Sequence, residues 1–293
     1  RKQYSIRHIR HQLAFNGMTV SSAKLEASIA DQENSPFSLS AVLKEPGYNG
    51  QKADLFTAEA KGALSLHTIN AFFRSQKTKI SASLTGAWRQ GKWQGNIARL
   101  DGEDVIGPWK LTRPAALTIT ANDILTESLT LTGGNAEMLS LSGWFAPASN
   151  SGTLDCRWTQ LNLSRANLLL SQWNIEGITS GTLTMKLLPQ KRLEMTGSLS
   201  ASGTLQAQGQ TINIRQSSFT LNAGQSGIQV KAEMIPAEGG SIQGDFSSSF
   251  PAGLQLPDKG NFNLAWREFD MTPYCAWLPG SVKLEGKMSG SAR

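Results

Sequence analysis

The sequence predicts an all-β protein, and the first observation behind this prediction is a regular alternation of apolar and polar residues. In the segment 227–235, Ile228 and Val230 alternate with Gln229 and Lys231. Successive side chains of a β-strand point to opposite faces of the sheet, so this pattern is typical of a strand with one apolar and one polar face. The same alternation recurs in many other short runs, where Thr and Ser often take the polar positions.

The second observation is that turn-forming residues separate these runs. Clusters of Gly, Asn, Ser, Glu or Pro occupy residues 133–135, 149–152, 222–224, 238–240 and 257–260. Such clusters between alternating segments favour tight connections between neighbouring strands. The spacing therefore predicts about twenty strands, linked mostly as antiparallel hairpins and meanders.

Composition agrees with strands that have one polar face. Hydrophobic residues make up 39% and charged residues 17% of the 293 residues, against about 45–50% and 25% in average globular domains. The formal net charge is +6, but the basic residues are scattered, and their densest cluster lies in residues 1–11. We interpret this charge as a solvated surface and predict no nucleic-acid partner.

Two segments break the alternation and predict short helices, at residues 161–173 with Ser164 as the N-cap and at residues 270–278. They belong to two similar stretches, 158–181 and 266–290. Both stretches contain an apolar residue followed by Glu-Gly-x-x-Ser-Gly, and their final glycines are 109 positions apart (290 − 181). A repeated unit indicates an extended molecule, so we predict that residues 1–293 form one continuous repeat-built β segment of a longer protein.

No arrangement of chemically active residues predicts an enzyme. The three histidines are too scattered for a zinc site, and the acidic residues at 101–104 lack the spacing of a calcium loop. We predict no catalytic site, no metal and no cofactor.

Cys156 and Cys275 are compatible either with one disulfide in an oxidising compartment or with two free thiols. No apolar run is long enough to span a bilayer, so we expect any anchor to lie outside this segment.

Particular strings within residues 80–293 resemble the TamB family of AsmA-like, bridge-like lipid-transfer proteins. They are Leu-Thr-Gly-Ala-Trp at 84–88, Trp-Gln-Gly-Asn-Ile at 93–97 and Gly-Pro-Trp-Lys-Leu-Thr-Arg-Pro-Ala-Ala-Leu at 107–117, with the later Leu-Pro-Gly and Ser-Gly pattern at 278–290. The chain departs from the family where Ser128-Leu129 replaces an expected Cys-Leu pair. Residues 1–79 show only more of the same β pattern.

The resemblance implies a fold, a location and partners. The fold would be a "β-taco", an elongated antiparallel sheet rolled lengthwise into a trough with an apolar lumen. The protein would lie in the periplasm, held in the inner membrane of a Gram-negative bacterium by an anchor outside this segment. The outer-membrane barrel TamA would be a partner, also through regions outside this segment.

The apolar phase of the strands is the candidate functional surface. An apolar sheet face must be covered, and in an open trough lipid chains are the natural guest. The predicted groove-lining residues are Leu117, Ile119, Leu129, Leu131, Leu139, Leu141, Leu183, Met185, Leu187, Leu193, Met195, Phe219, Leu221, Ile228, Val230, Met234, Phe262 and Leu264. The same residues would form the core of an ordinary sandwich if two such faces covered each other.

These observations lead to one functional hypothesis and two alternatives. The hypothesis is a periplasm-spanning conduit that carries phospholipid along the groove between the inner and outer membranes. The first alternative is an assembly factor for outer-membrane β-barrel proteins that works with TamA and presents open strand edges. The second is a β-rich adhesin or carbohydrate-binding module, in which the eight tryptophans would stack on sugars.

Overall fold

The structure is a computed structural model, and it describes residues 3–15, 17–30, 34–48, 51–168, 173–207, 210–249, 259–270 and 286–293. Contacts divide the chain into two compact units, Arg1–Gly134 and Asn135–Arg293. We call them unit 1 and unit 2. In the described residues, no helix is long and apolar enough to cross a membrane.

The described part of unit 1 consists of β-strands. Their bounds are β1 Gln3–Phe15, β2 Met18–Ala30, β3 Phe37–Lys44, β4 Gly47–Tyr48, β5 Gln51–Lys52, β6 Leu55–Ala63, β7 Leu66–Arg74, β8 Lys79–Arg89, β9 Lys92–Asp104, β10 Gly107–Leu111, β11 Ala115–Thr120 and β12 Ile124–Gly133. Most strands pair with their neighbours in the chain. β3 pairs with β6, because the small β4–β5 hairpin is set aside beside β2. β10 and β11 each pair with both β9 and β12.

The described part of unit 2 is a meander. Its strands are β13 Met138–Ala146, β14 Ser151–Asn162, β15 Trp173–Leu188, β16 Arg192–Ala207, β17 Gln210–Gly224, β18 Gly227–Pro236, β19 Ser241–Ser248, β20 Asn261–Asp270 and β21 Lys287–Ala292. From β13 to β21, each strand is antiparallel to the next. The predicted all-β, antiparallel fold is therefore confirmed.

A line of β-bulges crosses the sheet of unit 2. Register shifts occur between Trp158 and Leu161, between Ala201 and Gly203, between Ile214 and Gln216, and between Trp266 and Phe269. The first three lie side by side, because Thr179 pairs with both Leu161 and Ala201, and Gly203 pairs with Ile214. A bulge bends its strand and increases the local twist. The sheet of unit 2 therefore bends along this line.

The helix predicted at residues 161–173 is shorter than expected, and its cap is a different residue. A 3-10 helix spans Leu163–Leu168, so Ser164 lies inside it and is not the N-cap. Asn162 takes that role, since its Oδ1 accepts a hydrogen bond from the backbone N–H of Ser164 at 2.9 Å. Of the second predicted helix, at 270–278, only Asp270 lies within the described residues, and it ends β20. A further 3-10 turn, Pro189–Lys191, joins β15 to β16.

One predicted turn is misplaced. Residues 222–224 belong to β17, which continues to Gly224, and residues 225–226 form the connection to β18. The alternation of the strand explains the difference, because Asn222 and Ala223 still pair with Gln229 and Ile228 across the hairpin. Asn222 occupies a polar position of the strand, and asparagine is also a common turn residue, which explains the wrong prediction.

Candidate functional site

The candidate functional site is the apolar face of the sheet, which strand register builds from matching residues of successive strands. In unit 2 one transverse row crosses eight strands in unbroken register. Its members are Leu141, Cys156, Leu183, Gly197, Leu221, Val230, Phe246 and Phe262. The neighbouring apolar row is Leu139, Trp158, Gly181, Leu199, Phe219, Ala232, Gly244 and Leu264. Neither row contains a charged residue.

The opposite face of unit 2 is polar along the same strands. One row of matched residues is Ser142, Asp155, Thr184, Thr196, Asn222, Gln229, Ser247 and Asn261. Hydrogen bonds link some members of this row. For example, the Thr184 hydroxyl donates to Asp155 Oδ1 at 2.7 Å. The two faces of this sheet therefore differ in character at every strand from β13 to β20.

Unit 1 has an apolar face built in the same way. One row that crosses five strands consists of Ala41, Ala58, Ala71, Ala82 and Leu100. The adjacent row on this face is Leu43, Phe56, Phe73, Ile80 and Gly102. On the other face, Lys24 and Arg7 flank Glu26, and the hydrogen bond from Lys24 is the main cause that lowers the pKa of the Glu26 carboxyl. In β2 and β3 the charged residues thus lie on the polar face, whereas in β1 Arg10 pairs with Ala23 on the apolar face.

Strand register places seventeen of the eighteen predicted lining residues on these apolar faces. Leu117 and Ile119 of β11 pair with Gly95 and Trp93, and Leu131 of β12 pairs with Leu111. The exception is Leu129, which lies where β12 changes phase between Thr126 and Leu131. The fourteen predicted residues of unit 2 all share one face. Each is either a member of one of the two transverse apolar rows or lies an even number of residues from such a member along a regular strand.

The apolar faces are only partly covered. In the described residues, no large side chain is fully buried. The small core of unit 2 consists of Leu193 and Ala223, with Met185, Leu221 and Ile228 among the half-buried residues around them. All the predicted lining residues are half-buried except Leu193, which is buried, and Phe262, which is 53% exposed. Two tightly packed sheets would bury such side chains completely, so among the described residues no second tightly packed layer covers the apolar face of either unit.

Tryptophans lie on glycines at matching places of the two similar stretches. A side chain added at Gly181 would collide with the ring of Trp158, and one at Gly290 with the ring of Trp266. Just beyond each tryptophan, Gln160 and Glu268 have positive φ angles of 48° and 47°. Their backbone N–H groups donate to the hydroxyls of Ser180 and Ser289, both at 2.9 Å. In both stretches, the tryptophan of the preceding strand therefore packs on the glycine of the Ser-Gly ending, and the bulge after the tryptophan is hydrogen-bonded to the serine.

A buried histidine supports another tryptophan on the apolar face of unit 1. Trp93 is 5% and His67 7% exposed, and Trp93 Nε1 donates to His67 Nε2 at 2.8 Å. His67 Nδ1 lies 3.1 Å from the carbonyl oxygen of Ala63, which can only accept, so Nδ1 carries the proton. The His67 ring also packs near Phe37, with centroids 5.6 Å apart. His67 therefore has a structural role, since both of its ring nitrogens are engaged with neighbouring strands.

Cys156 lies on the apolar face and is half-buried. Burial raises the pKa of this thiol. Cys275 lies outside the described residues, so the alternatives drawn from the sequence are not distinguished. In the part of the chain that the structure describes, no group of His, Cys, Asp and Glu could hold a metal ion.

Sequence reasoning missed several residues of the apolar face, including Leu154, Leu199, Phe246 and Trp158. Leu154, Cys156 and Trp158 alternate with Asp155 and Arg157, so period-two alternation was the available signal. Phe246 was harder to find, because its neighbour on the same face is Gly244 and a glycine carries no apolar side chain.

Comparison with known proteins places this geometry in a family. The family model described as TamB, N-terminal domain, matches residues 3–293. No solved structure matches the chain.

Proposed function

This chain belongs to the TamB family, and we propose that its apolar face carries phospholipid between the inner and outer membranes of a Gram-negative cell. Family membership gives the chain a role in envelope lipid transport or outer-membrane assembly, and its members are transport or assembly proteins rather than enzymes. The conduit is the more specific form of that role. TamA and the inner membrane are the partners we propose, both through regions outside this segment.

The observation that carries the proposal is an uncharged apolar row that continues through eight strands without full burial. Val230, for example, lies between Leu221 and Phe246 in register, and all three are half-buried. Each CH₂ group of an acyl chain gains roughly 0.8 kcal/mol when it leaves water for such a surface. A guest with long apolar chains therefore suits this face better than a polar one.

Uniformity of the rows favours movement over storage. Neighbouring strands offer similar aliphatic and aromatic side chains. A lipid acyl chain that moves from Leu183 to Leu221 therefore exchanges one apolar contact for another. The charged headgroup can stay in water at the edge of the sheet, which avoids the large cost of burying a charge. No deep binding site along the row is needed for this function.

A carboxylate placed in the row tests the proposal directly. In Leu221→Glu the new charge lies on the apolar face, whereas in the control Thr220→Glu it lies on the polar face, where Thr220 pairs with Lys231. Phospholipid that copurifies with the chain is measured by mass spectrometry, and circular dichroism verifies that both variants are folded. We expect Leu221→Glu to lose most of the lipid and Thr220→Glu to retain it.

Two results would contradict the conduit. The first is that the wild-type chain carries no phospholipid, and the second is that both variants retain equal amounts of it. If unfolded outer-membrane β-barrel proteins copurify in place of lipid, the assembly-factor alternative is favoured.

The carbohydrate alternative draws less support from the tryptophans. The rings of Trp158 and Trp266 lie on Gly181 and Gly290, and Trp93 lies on Gly86, so each of these rings is packed against its own sheet. A sugar-binding surface needs open ring faces.

A further inference from the structure

We propose that one rim of unit 1 is a docking surface for an anionic phospholipid membrane. The surface consists of Leu64, Leu66, Trp88, Arg89 and Lys92, and we call it the tip patch. These residues lie at the β6–β7 and β8–β9 hairpin ends, away from the middle of the strands. The proposal concerns attachment to a lipid surface and does not depend on whether the apolar face transports lipid.

Large apolar side chains at the tip patch are open to solvent. Leu66 is 64%, Leu64 49% and Trp88 44% exposed. Hairpin ends are normally occupied by small and polar residues that suit turns and water. A cluster of exposed large apolar residues marks an interaction site more often than an idle surface.

Hydrogen bonds hold the tip patch in one arrangement. The backbone N–H of Trp88 donates to the carbonyl oxygen of Leu64 at 2.7 Å, which ties the two hairpin ends together. The N–H of Ser65 donates to Asn34 Oδ1 at 2.9 Å, which ties the first end to the β2–β3 connection. The backbone that carries the exposed side chains is therefore held in place before binding, which lowers the entropic cost of binding.

Charge on the tip patch selects the kind of partner. Arg89 and Lys92 form the last residue pair of the β8–β9 hairpin; Arg89 is exposed and Lys92 is half-buried. Neither residues 63–66 nor residues 88–92 include an acidic residue. Tryptophan with leucine and two cations is the combination found at membrane surfaces, where the rings and aliphatic chains enter the headgroup layer and the cations meet phosphates.

The shape of the tip patch also favours a membrane. Hairpin ends are convex and project individual side chains, which can enter a soft lipid surface without a matching pocket. The neighbouring β11–β12 end adds Ile124 and Leu125, which are 42% and 39% exposed, although it also carries Asp123. The cationic character is therefore centred on Arg89 and Lys92.

The opposite rim of unit 1 offers a matched control. At the β9–β10 hairpin end, Val105 is 59% exposed, but Glu103 and Asp104 lie beside it. This end combines an exposed apolar residue with negative charge, which an anionic lipid surface repels.

Vesicle flotation of the full chain tests the proposal. Vesicles of phosphatidylglycerol mixed with phosphatidylcholine are compared with vesicles of phosphatidylcholine alone. We expect the wild-type chain to float with the anionic vesicles, and this binding to weaken as salt is raised. R89Q/K92Q should lower the partition coefficient roughly 25-fold, Leu66→Ser should lower it about ten-fold, and Val105→Ser should leave it unchanged.

Leu66, Arg89 and Val105 are exposed, and Lys92 is a half-buried residue at a hairpin end, so each variant should keep the thermal unfolding midpoint of the wild-type chain. Three results would overturn the proposal: no flotation of the wild-type chain, equal binding to both kinds of vesicle, or a loss in Val105→Ser as large as that in Leu66→Ser.

Discussion

The indole of Trp158 lies against Gly181 of the next strand, and its Nε1 donates to the hydroxyl of Thr179 at 3.3 Å. Trp266 lies against Gly290 in the same manner, but Met288 stands where the first stretch has Thr179. Trp266 Nε1 is buried and has no hydrogen-bond partner among the described residues. The two stretches thus share a backbone arrangement and differ in one hydrogen bond.

Substitution of Gly181 by alanine should destabilise unit 2. The added methyl group would collide with the Trp158 ring and with the carbonyl oxygen of Ser198, and such overpacking costs about 1–3 kcal/mol. Urea unfolding measures the change. Gly134→Ala is the control, because an added side chain meets no atom within 4 Å there. Equal stability of the two variants would contradict the described packing.

Exchange of one residue between the stretches should transfer the hydrogen bond. Met288→Thr offers Trp266 Nε1 an acceptor and should stabilise the chain by about 1 kcal/mol. Thr179→Met removes the acceptor of Trp158 and the donor to the Ser200 carbonyl, which Thr179 Oγ1 contacts at 3.0 Å, and should cost about 1–3 kcal/mol. Urea midpoints that move in the same direction for both variants would refute this assignment.

The ion pair between Glu137 and Arg165 should matter far more than the surface pairs. Glu137 is 5% exposed; its carboxylate accepts from Arg165 Nη2 at 2.6 Å and from the N–H of Asn162 at 2.7 Å. Glu137→Gln removes the buried negative charge that faces Arg165 and should cost about 3–5 kcal/mol. Glu59→Gln, which breaks the exposed pair with Lys61, should change stability by less than about 1 kcal/mol. Thermal unfolding compares the two, and similar losses would contradict the prediction.

Cys156 should react slowly with alkylating reagents in the folded chain. Because burial raises the pKa of its thiol, less thiolate is present at mildly alkaline pH than in the unfolded chain, and thiolate is the reactive form. The contribution of this thiol to stability is complete below its unfolded-state pKa and is lost as pH rises through the folded-state value. Iodoacetamide labelling of Cys275→Ser, with and without urea, measures the difference. Equal rates in both conditions would place Cys156 in water instead of on the apolar face.

Much of the fold followed from the alternation of side chains. The Ile228–Gln229–Val230–Lys231 pattern correctly assigned β18 and the faces of its residues, because a half-covered sheet obliges each strand to separate apolar from polar side chains. Helix capping was less predictable: Ser164 and Asn162 can both cap a helix, and only the backbone path decides between them.

Contacts across the sheet could not be read from the sequence. The support of Trp93 by His67 joins residues 26 positions apart, and the pairing of Glu137 with Arg165 depends on where β14 ends. The tip patch was also missed, because Leu64 and Leu66 continue the apolar alternation into a turn and look like strand residues. Exposure distinguishes them, and exposure depends on the neighbouring strands.

Photo-crosslinking tests the central claim, that the apolar face holds lipid, most directly. A photoreactive amino acid is placed at Val230 and, separately, at Lys231, its neighbour on the opposite face. After irradiation in cells, mass spectrometry identifies what each position has captured. We expect phospholipid adducts at Val230 and none at Lys231. Adducts with protein alone at Val230, or equal lipid adducts at both positions, would contradict it.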